Sequence, residues 1–464
     1  MTDFLTGKKH IHFIGIGGSG MYPLAQILHG MNYKITGSDN NETVTLDAVR
    51  KMGIQVFLGH NAENIKGADL IVYSTAISGD NPELREAMRK NIRMYDRAEL
   101  LGLLTERHDR AVCVVGTHGK TTATSMLIHI LLAAYMDISA FVGGKLKLID
   151  GSARMGESGI MVCEACEFNN NFLKLSPDIT VVLNIDEDHM DYFKTMDALR
   201  GSFSKFCDIT SDLLIVNGDD ENTLTAVNNS KFKGKIITFG FSEKNDYFPM
   251  NIKKLSSESG GLFKSSFELW EHGKFLTEII LSVPGEHNIL NAVAVSAAGL
   301  YLEADKNALK EGLRGFTGAV RRFEQITIER GITVVDDYAH HPAEVEATLK
   351  TAKNMGYKRV WAVHQPFTFS RTKALLDDFA KALSLADKVV LSKIMGGREA
   401  DKGEIKSEDL AAKIPGSVVL QEFEEIAEYA AKNAETGDLI ITMGCGDVDK
   451  CARLIAEKLQ TINK

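Results

Sequence analysis

The sequence predicts an α/β protein of three domains built on largely parallel sheets. Three observations carry that expectation. Short apolar runs alternate with amphipathic helical stretches from end to end, the pattern of successive strand–helix units. Two glycine-rich turns, at 15–20 and 116–122, each stand between a buried-strand run and a helix. The chain has 464 residues, about three domains at about 150 residues each.

Composition narrows the class. Apolar residues make up 44% and charged residues 25%, the balance of an ordinary globular protein. Lys and Arg number 53 against 62 Asp and Glu, a net charge of −9. That charge argues against a surface that coats nucleic acid, while leaving room for local basic pockets. No run of 18 apolar residues is present, so membrane insertion is not expected. The first residues lack a basic segment followed by an apolar core, and six cysteines do not make a disulfide framework. A cytoplasmic location is the expectation.

The first domain is expected over 1–108. His10–Ile14 reads as a strand that runs into Gly15-Ile16-Gly17-Gly18-Ser19-Gly20, and Met21, Leu24, Ala25 and Leu28 mark the helix after it. Lys34–Gly37 and Ala68–Ser74 are further strands. The second domain is expected over 109–320. It opens with strand Ala111–Val115, the turn Gly116–Thr122 and a helix to about Tyr135. Strands follow at Ile160–Glu164, Thr180–Ile185 and Leu213–Asn217. From Tyr247 to Val283, alternating segments flank Gly260-Gly261 and Gly273, which predicts an antiparallel β excursion. Helices are expected at His287–Leu302 and Asp305–Leu313. The third domain is expected over 321–464. It begins with a hairpin, Ile326–Glu329 and Ile332–Asp336 around Arg330-Gly331. Helix Pro342–Met355, strand Arg359–Val363, helix Thr372–Ala386 and strand Lys388–Leu391 come next, and strands Val418–Leu420 and Leu439–Thr442 lead the last two strand–helix pairs.

The first turn has the spacing Gly15-x-Gly17-x-x-Gly20 in the context that lets backbone N–H groups approach a diphosphate. Asp39 ends the next strand and suits a ribose hydroxyl. The plainer alternative is a tight turn with packing glycines, and the motif does not separate NAD, FAD and UDP-linked ligands. The second turn, Gly116-Thr117-His118-Gly119-Lys120-Thr121-Thr122, resembles a shortened phosphate-binding loop; Val114 stands where a full Walker A has glycine. Its amides cradle phosphates, Lys120 meets the β/γ charge and the Thr121 hydroxyl suits Mg²⁺, so ATP is the expected ligand. Glu164 ends a strand with Glu167 just beyond it, and His189 lies in a run of acids. Glu164 and Thr121 offer the oxygen ligands Mg²⁺ prefers; by residue type His189 reads as a capping or substrate-contacting histidine. Cys163-x-x-Cys166 lacks a second close pair, which favours a buried structural cysteine over zinc. Asp336-Asp337-Tyr338-Ala339-His340-His341-Pro342 ends a strand at a helix start, a ligand turn or simply an N-terminal turn. Arg371 at another helix start suits a carboxylate or phosphate. Two anion-binding turns in one chain favour an enzyme that joins a nucleotide-linked substrate to an ATP-driven step. A nucleotide-dependent dehydrogenase with a regulatory ATP site, or a sensor that kept its binding loops, is the reading from another class.

Taken together, the segments HFIGIGGSGM at 12–21, GSD at 37–39, STAI at 74–77 with Asn81-Pro82-Glu83, RAELL at 97–101, GTHGKTT at 116–122, Glu164-Ala165, NIDEDHMDYF at 184–193, GEHNILNA at 285–292, RRFE at 321–324, DDYAHHPAEV at 336–345, HQPFTFSRT at 364–372 and GCGD at 444–447 resemble the Mur ligase family over essentially the whole chain. Within it they are most like the branch that adds L-alanine to UDP-N-acetylmuramate through an acyl phosphate, in peptidoglycan precursor synthesis; a tripeptide ligase of murein recycling is the nearest alternative. The resemblance implies a Rossmann-like UDP-binding domain, a central P-loop ATPase domain and a Rossmann-like C-terminal domain that closes over the amino acid. It assigns Gly15, Gly17, Gly18, Ser19, Gly20, Met21, Asp39, Ser74, Thr75, Ala76 and Arg97 to the UDP-sugar. It assigns Gly116, Thr117, His118, Gly119, Lys120, Thr121, Thr122, His287, Asn288, Asn291, Arg322 and Asp337 to ATP. Thr121, Glu164 and His189 would hold magnesium, His341 and Arg371 would meet the amino acid, and Lys120, His189 and His341 would be catalytic. Implied partners are UDP-N-acetylmuramate, L-alanine, ATP and Mg²⁺, with monomer or dimer open. The sequence departs from the family pattern at Cys166, Phe168 and Asn169 after Glu164-Ala165, at Ala339 before the histidine pair, and at Thr368 where an arginine is usual. That last change leaves the choice among L-alanine, glycine and L-serine open.

Overall fold

The computed structural model describes residues 5, 7–18, 20–255, 264–397 and 399–461. Three sheets account for its strands. The first contains β1 (His10–Ile14), β2 (Lys34–Asp39), β3 (Gln55–Leu58), β4 (Leu70–Tyr73) and β5 (Arg93–Asp96) in the order β3-β2-β1-β4-β5. All its pairings are parallel. Such an order places the turn after β1 at the point where the strand order reverses, and ligands gather there. The unforeseen strands β3 and β5 are four-residue edge strands that each begin with a polar residue, too short to show the apolar run that marks a buried strand.

The second sheet has ten strands. These are β6 (Arg110–Val115), β7 (Ser139–Leu146), β8 (Gly151–Arg154), β9 (Ile160–Glu164), β10 (Ile179–Val182), β11 (Leu213–Asn217), β12 (Lys235–Phe239), β13 (Tyr247–Leu255), β14 (Lys264–Glu271) and β15 (Lys274–Leu281), in the order β15-β14-β13-β12-β11-β10-β6-β9-β7-β8. From β12 through β10, β6 and β9 to β7 the pairings are parallel, and β7–β8 is antiparallel. The expected excursion is present: β14 and β15 are neighbours joined by His272 and Gly273, both at positive φ (47° and 73°). That is the two-residue connection of a tight antiparallel hairpin. Gly260-Gly261 lies outside the described residues. Helices Glu286–Tyr301 and Lys306–Gly315 follow, the second capped by the Asp305 side chain on Ala308 N–H.

The third sheet runs β16-β17-β21-β18-β19-β20, with β16 (Glu324–Glu329), β17 (Ile332–Asp337), β18 (Arg359–His364), β19 (Lys388–Leu391), β20 (Val418–Val419) and β21 (Asp438–Met443). The hairpin β16–β17 is antiparallel around Arg330 and Gly331, both at positive φ, and the rest is parallel. Apolar clusters cover its two faces, one around Leu349, Phe379 and Ile441, the other around Trp361, Ile426 and Ile455. The single helix expected at Thr372–Ala386 is two, Phe369–Ala374 and Leu376–Leu383, because Leu375 leaves helical geometry at φ −112° and ψ 26°. An apolar period that continues across a kink does not reveal it.

The chain divides into two compact units. One comprises 1–253, 266–281 and 286–316, and carries most of the first two sheets; the other comprises 254–265, 282–285 and 317–464, and carries the third. Among the described residues no helix is long and apolar enough to cross a membrane.

Candidate active site

In the first domain, Gly15 takes φ 82°, and its N–H and that of Ile16 both donate to Ser38 O. The Gly17 N–H donates to Asp39 Oδ2 at 2.9 Å, so a turn amide and the strand-end carboxylate that the sequence assigned to one ligand meet directly. A Cβ on Gly17 would stand 2.9 Å from that oxygen, and one on Gly20 would stand 2.6 Å from Arg97 Cδ. These glycines are close-approach positions. Arg97 opens helix Arg97–Arg107, which Asp96 and Glu99 close with a reciprocal capping box. Ser74 packs against Gly15 and accepts from Ala76 N–H. Met21 is a core residue whose N–H goes to Gly18 O. Ser19 lies outside the described residues.

In the middle domain, β6 lies between β10 and β9. The segments leaving the ends of those two strands therefore flank the turn after β6. Gly116 and Gly119 have φ of 145° and 85°, and Gly119 caps helix Lys120–Ala133. Thr117 exchanges hydrogen bonds with the backbone of Asp186, and His118 N–H donates to Asn184 Oδ1 at 2.8 Å. A Cβ on Gly119 would stand 2.9 Å from Asn291 Oδ1, and Asn291 reaches Asn288. The turn and the start of helix Glu286–Tyr301 thus come together, with His287 exposed there.

Lys120 Nζ donates to Gly116 O (2.5 Å), Thr117 O (3.1 Å) and Glu167 Oε1 (3.1 Å). Burial is the largest influence and lowers its pKa, but Glu167, Cys166 and Glu164 together outweigh burial and raise it, so the ammonium stays charged. A cation in the first turn of a helix opposes the helix dipole; here two carbonyls and a buried carboxylate hold it. Thr121 Oγ1 donates to Glu164 Oε1 at 3.0 Å, and Gly143 N–H holds Glu164 Oε2 at 2.8 Å. His189, at φ 52°, brings Nε2 to 4.0 Å from Glu167 and 3.6 Å from Asp188. Ligand atoms of Glu167, Asp188 and His189 lie within 4.8 Å of one another. Glu167, Asp188 and His189 offer two carboxylates and an imidazole, and Thr121 with Glu164 a hydroxyl and a carboxylate; each is donor chemistry that suits a hard divalent cation. Glu167 was expected only as an acid just beyond Glu164; its contact with Lys120 was not foreseen. Cys163 is buried in β9 and both it and Cys166 are free thiols, in line with a structural role. One small cavity is lined by Arg97, Glu164 and Cys166, which joins the first-domain arginine to the second-domain carboxylate.

In the third domain, Asp337 is buried and accepts from Phe323 N–H, Ala339 N–H and Thr348 Oγ1. Burial pushes its carboxyl up against the pull of Arg322, whose guanidinium stacks 5.1 Å from the Tyr338 ring centre. Its neighbour Arg321, which the sequence did not single out, binds Asp336 and the carbonyls of Gly444 and Gly446. His341 caps helix Pro342–Lys353, with Glu344 accepting its N–H at 3.2 Å. Thr368, at φ 62°, caps helix Phe369–Ala374 by accepting Arg371 N–H. Arg371 keeps Nη1 buried without a hydrogen-bond partner among the described residues. Buried polar atoms are normally paired, so this nitrogen keeps an unused donor.

Two strand–turn–helix glycine turns, a lysine at a helix start and carboxylates beside it are the parts that a site for a phosphorylated nucleotide needs. Three family models match in order: Mur ligase family, catalytic domain, over 10–109; Mur ligase middle domain over 114–299; and Mur ligase, glutamate ligase domain, over 321–446. The chain belongs to the Mur ligase family. It is 43% identical, over 98% of its length and 97% of the relative's, to a UDP-N-acetylmuramate–L-alanine ligase of Acetivibrio thermocellus. It is 42% identical to the protein of that name from Caldanaerobacter subterraneus, over 98% of each chain. Among solved structures, the UDP-N-acetylmuramate–alanine ligase of Thermotoga maritima superposes with a TM-score of 0.81 at 29% identity, covering 98% of this chain and all of that one. A murein peptide ligase of Psychrobacter arcticus gives 0.72 at 23% identity, over 98% and 99% of the two chains, a likeness of fold.

Proposed function

We propose that this chain is a UDP-N-acetylmuramate–L-alanine ligase, an ATP-dependent enzyme of peptidoglycan precursor synthesis, working in the cytoplasm with Mg²⁺. The observation that supports it most is the cluster of Lys120, Thr121, Glu164, Glu167 and His189 around the second glycine turn, in a chain with such full-length relatives. The domains are 1–108 for the UDP-sugar, 109–320 for ATP and 321–464 for the amino acid.

A carboxylate is a poor acyl donor at neutral pH. The lactyl carboxylate of the UDP-sugar attacks the γ-phosphorus of ATP; an acyl phosphate forms and ADP leaves. The neutral amine of alanine then attacks the acyl carbon, its surplus proton passes to His341, the amide forms and phosphate departs. Lys120 holds the β/γ-phosphate charge and neutralises it as the phosphoryl group transfers. The Gly116–Gly119 amides cradle the phosphates, and Asn288, Asn291 and His287 face the adenosine. Thr121, Glu164 and His189 would hold Mg²⁺, with Glu167 and Asp188 beside His189; bound there, the ion would supply Lewis-acid charge neutralisation. Arg97 and the first turn hold the UDP-sugar. Arg322 and Asp337 serve the nucleotide, His341 the reacting groups, and Arg371 Nη1 takes the alanine carboxylate. With Thr368 spent on capping a helix, Arg371 carries that carboxylate without a second arginine from this motif.

The test is phosphate release from Mg·ATP and UDP-N-acetylmuramate with L-alanine, glycine, L-serine or the tripeptide supplied singly, with mass detection of the product. A product heavier by one alanine residue is expected. A product formed only with the tripeptide moves the chain to murein recycling, and no release with any acceptor sinks the ligase reading.

A further inference from the structure

Beneath the first glycine turn lies a polar network that the reaction above does not use. Glu83, near the start of helix Pro82–Arg89, is fully buried. Its Oε2 accepts from Ser38 Oγ at 2.6 Å, and its Oε1 accepts from Asn64 Nδ2 at 2.6 Å and from Asn61 N–H at 3.4 Å. His60 Nδ1 lies 3.1 Å from the same Oε2 and 3.0 Å from Ser38 Oγ, and His12 Nε2 lies 3.8 Å away. Burial pushes the Glu83 carboxyl up, but the nearby His12 ring and the hydrogen bonds from Ser38 and Asn64 outweigh it and hold it below the ordinary value.

Proton counting fixes the histidine. An ionised carboxylate has no proton to give, and the single Ser38 hydroxyl proton already points at Glu83. The proton shared with these two oxygens therefore sits on His60 Nδ1. In the neutral ring Nε2 is then an acceptor, and it has no hydrogen-bond partner among the described residues. The His60 side chain is 10% exposed where that of Glu83 is 0%.

Ser38 also reaches the other way. Its carbonyl accepts the N–H groups of Gly15 (2.8 Å) and Ile16 (3.1 Å), the first amides of the turn. Asp39, next along, accepts from Gly17 N–H through its side chain and from Gly59 N–H through its carbonyl (2.8 Å), directly before His60. One buried carboxylate thus ties together the ends of β1, β2 and β3 at the ligand side of the sheet.

We propose that Glu83 is a positioning residue of the UDP-sugar site, and that His60, oriented by it, accepts a hydrogen bond at Nε2 from the uridine. This rests on reading the first domain as the UDP-sugar domain. Uridine offers two kinds of donor, its ribose hydroxyls and uracil N3–H, and cytidine lacks the second.

Calorimetry of UDP, CDP and ATP with the wild type, Glu83→Gln and His60→Ala, alongside steady-state kinetics, tests the inference. UDP affinity is expected to fall about tenfold or more in both variants, as for a hydrogen bond to a charged or fixed partner. ATP affinity is expected to hold, and the KM for the UDP-sugar to rise while kcat stays within about twofold. A wild-type preference for UDP over CDP that narrows in His60→Ala identifies N3–H as the donor; equal weakening of both identifies the ribose. Should Glu83→Gln fail to fold, Ser38→Ala and His60→Ala carry the same expectation. Unchanged UDP affinity in these variants overturns the inference, as does parallel loss of UDP and ATP binding, which marks general disruption. A wild type that binds ATP but neither UDP nor UDP-N-acetylmuramate overturns the reading of the domain itself.

Discussion

The two glycine turns solve one backbone problem and part at the side chains. Each follows a parallel strand, uses a glycine at positive φ and leads into a helix. In the first, the strand-end carboxylate of Asp39 takes the Gly17 amide, the turn itself carries no cation, and the arginine that approaches Gly20 comes from a separate helix. In the second, the cation belongs to the turn: Lys120 stands in the first turn of its own helix, against the dipole, with Glu167 and two carbonyls as its partners. The first arrangement is suited to hold a diphosphate that does not react. The second is suited to a phosphoryl group whose charge shifts during transfer. Backbone amides bind phosphate in both places; the side chains at the helix start decide whether chemistry follows.

The comparison breaks most sharply at Lys120. Lys120→Ala is expected to lower turnover by about 10³-fold or more, the scale of a lost transition-state contact, while UDP-sugar affinity measured by calorimetry stays at the wild-type level. Equal losses at both ligands would erase the distinction between the turns. Glu164→Ala is expected to cost about 10²-fold in kcat and to raise the magnesium concentration needed for half-maximal activity, read from a Mg²⁺ titration; an unshifted titration would remove Glu164 from the ion site. Gly20→Ala forces Arg97 aside and should weaken UDP-sugar binding by about tenfold, one or two lost hydrogen bonds, with ATP binding unaffected. The smallest effect is on stability. Because the Lys120 pKa is raised in the folded state, the stability it contributes is fully present below its ordinary value and is lost as pH rises through the raised one. Thermal melts across the alkaline range should show that loss diminished in Glu167→Gln; identical profiles would mean that the pair does not set the lysine.

Much of this was legible along the chain. Strong local signals named both turns, the strands β1, β6 and β9, and the hairpin around Arg330-Gly331, because turn chemistry and buried apolar runs are written in neighbouring residues. Weakly apolar edge strands such as β3 and β5 carried no such signal. The kink at Leu375 was hidden for a related reason, since the apolar period runs straight through it. At the site, Lys120, Thr121 and Glu164 were named from their types and places. Glu167 was named only for its place after Glu164; its contact with Lys120, like those made by Asn184, Asp186 and Gly143, was not legible, because each is defined across the sheet.

By itself, the sequence determined the α/β class, the two phosphate-binding turns and the residue types able to hold a nucleotide and a cation. Short-range physics suffices for those: glycine where φ is positive, apolar runs where strands are buried, lysine and hydroxyl after the turn. Only the tertiary structure decided that β6 lies between β9 and β10, bringing Glu164, Glu167 and His189 to Lys120 from 44 to 69 residues away. It likewise decided that Glu83 is buried beneath Ser38 and His60. Strand order and the pairing of distant charges depend on which faces bury together, and no local pattern encodes that choice.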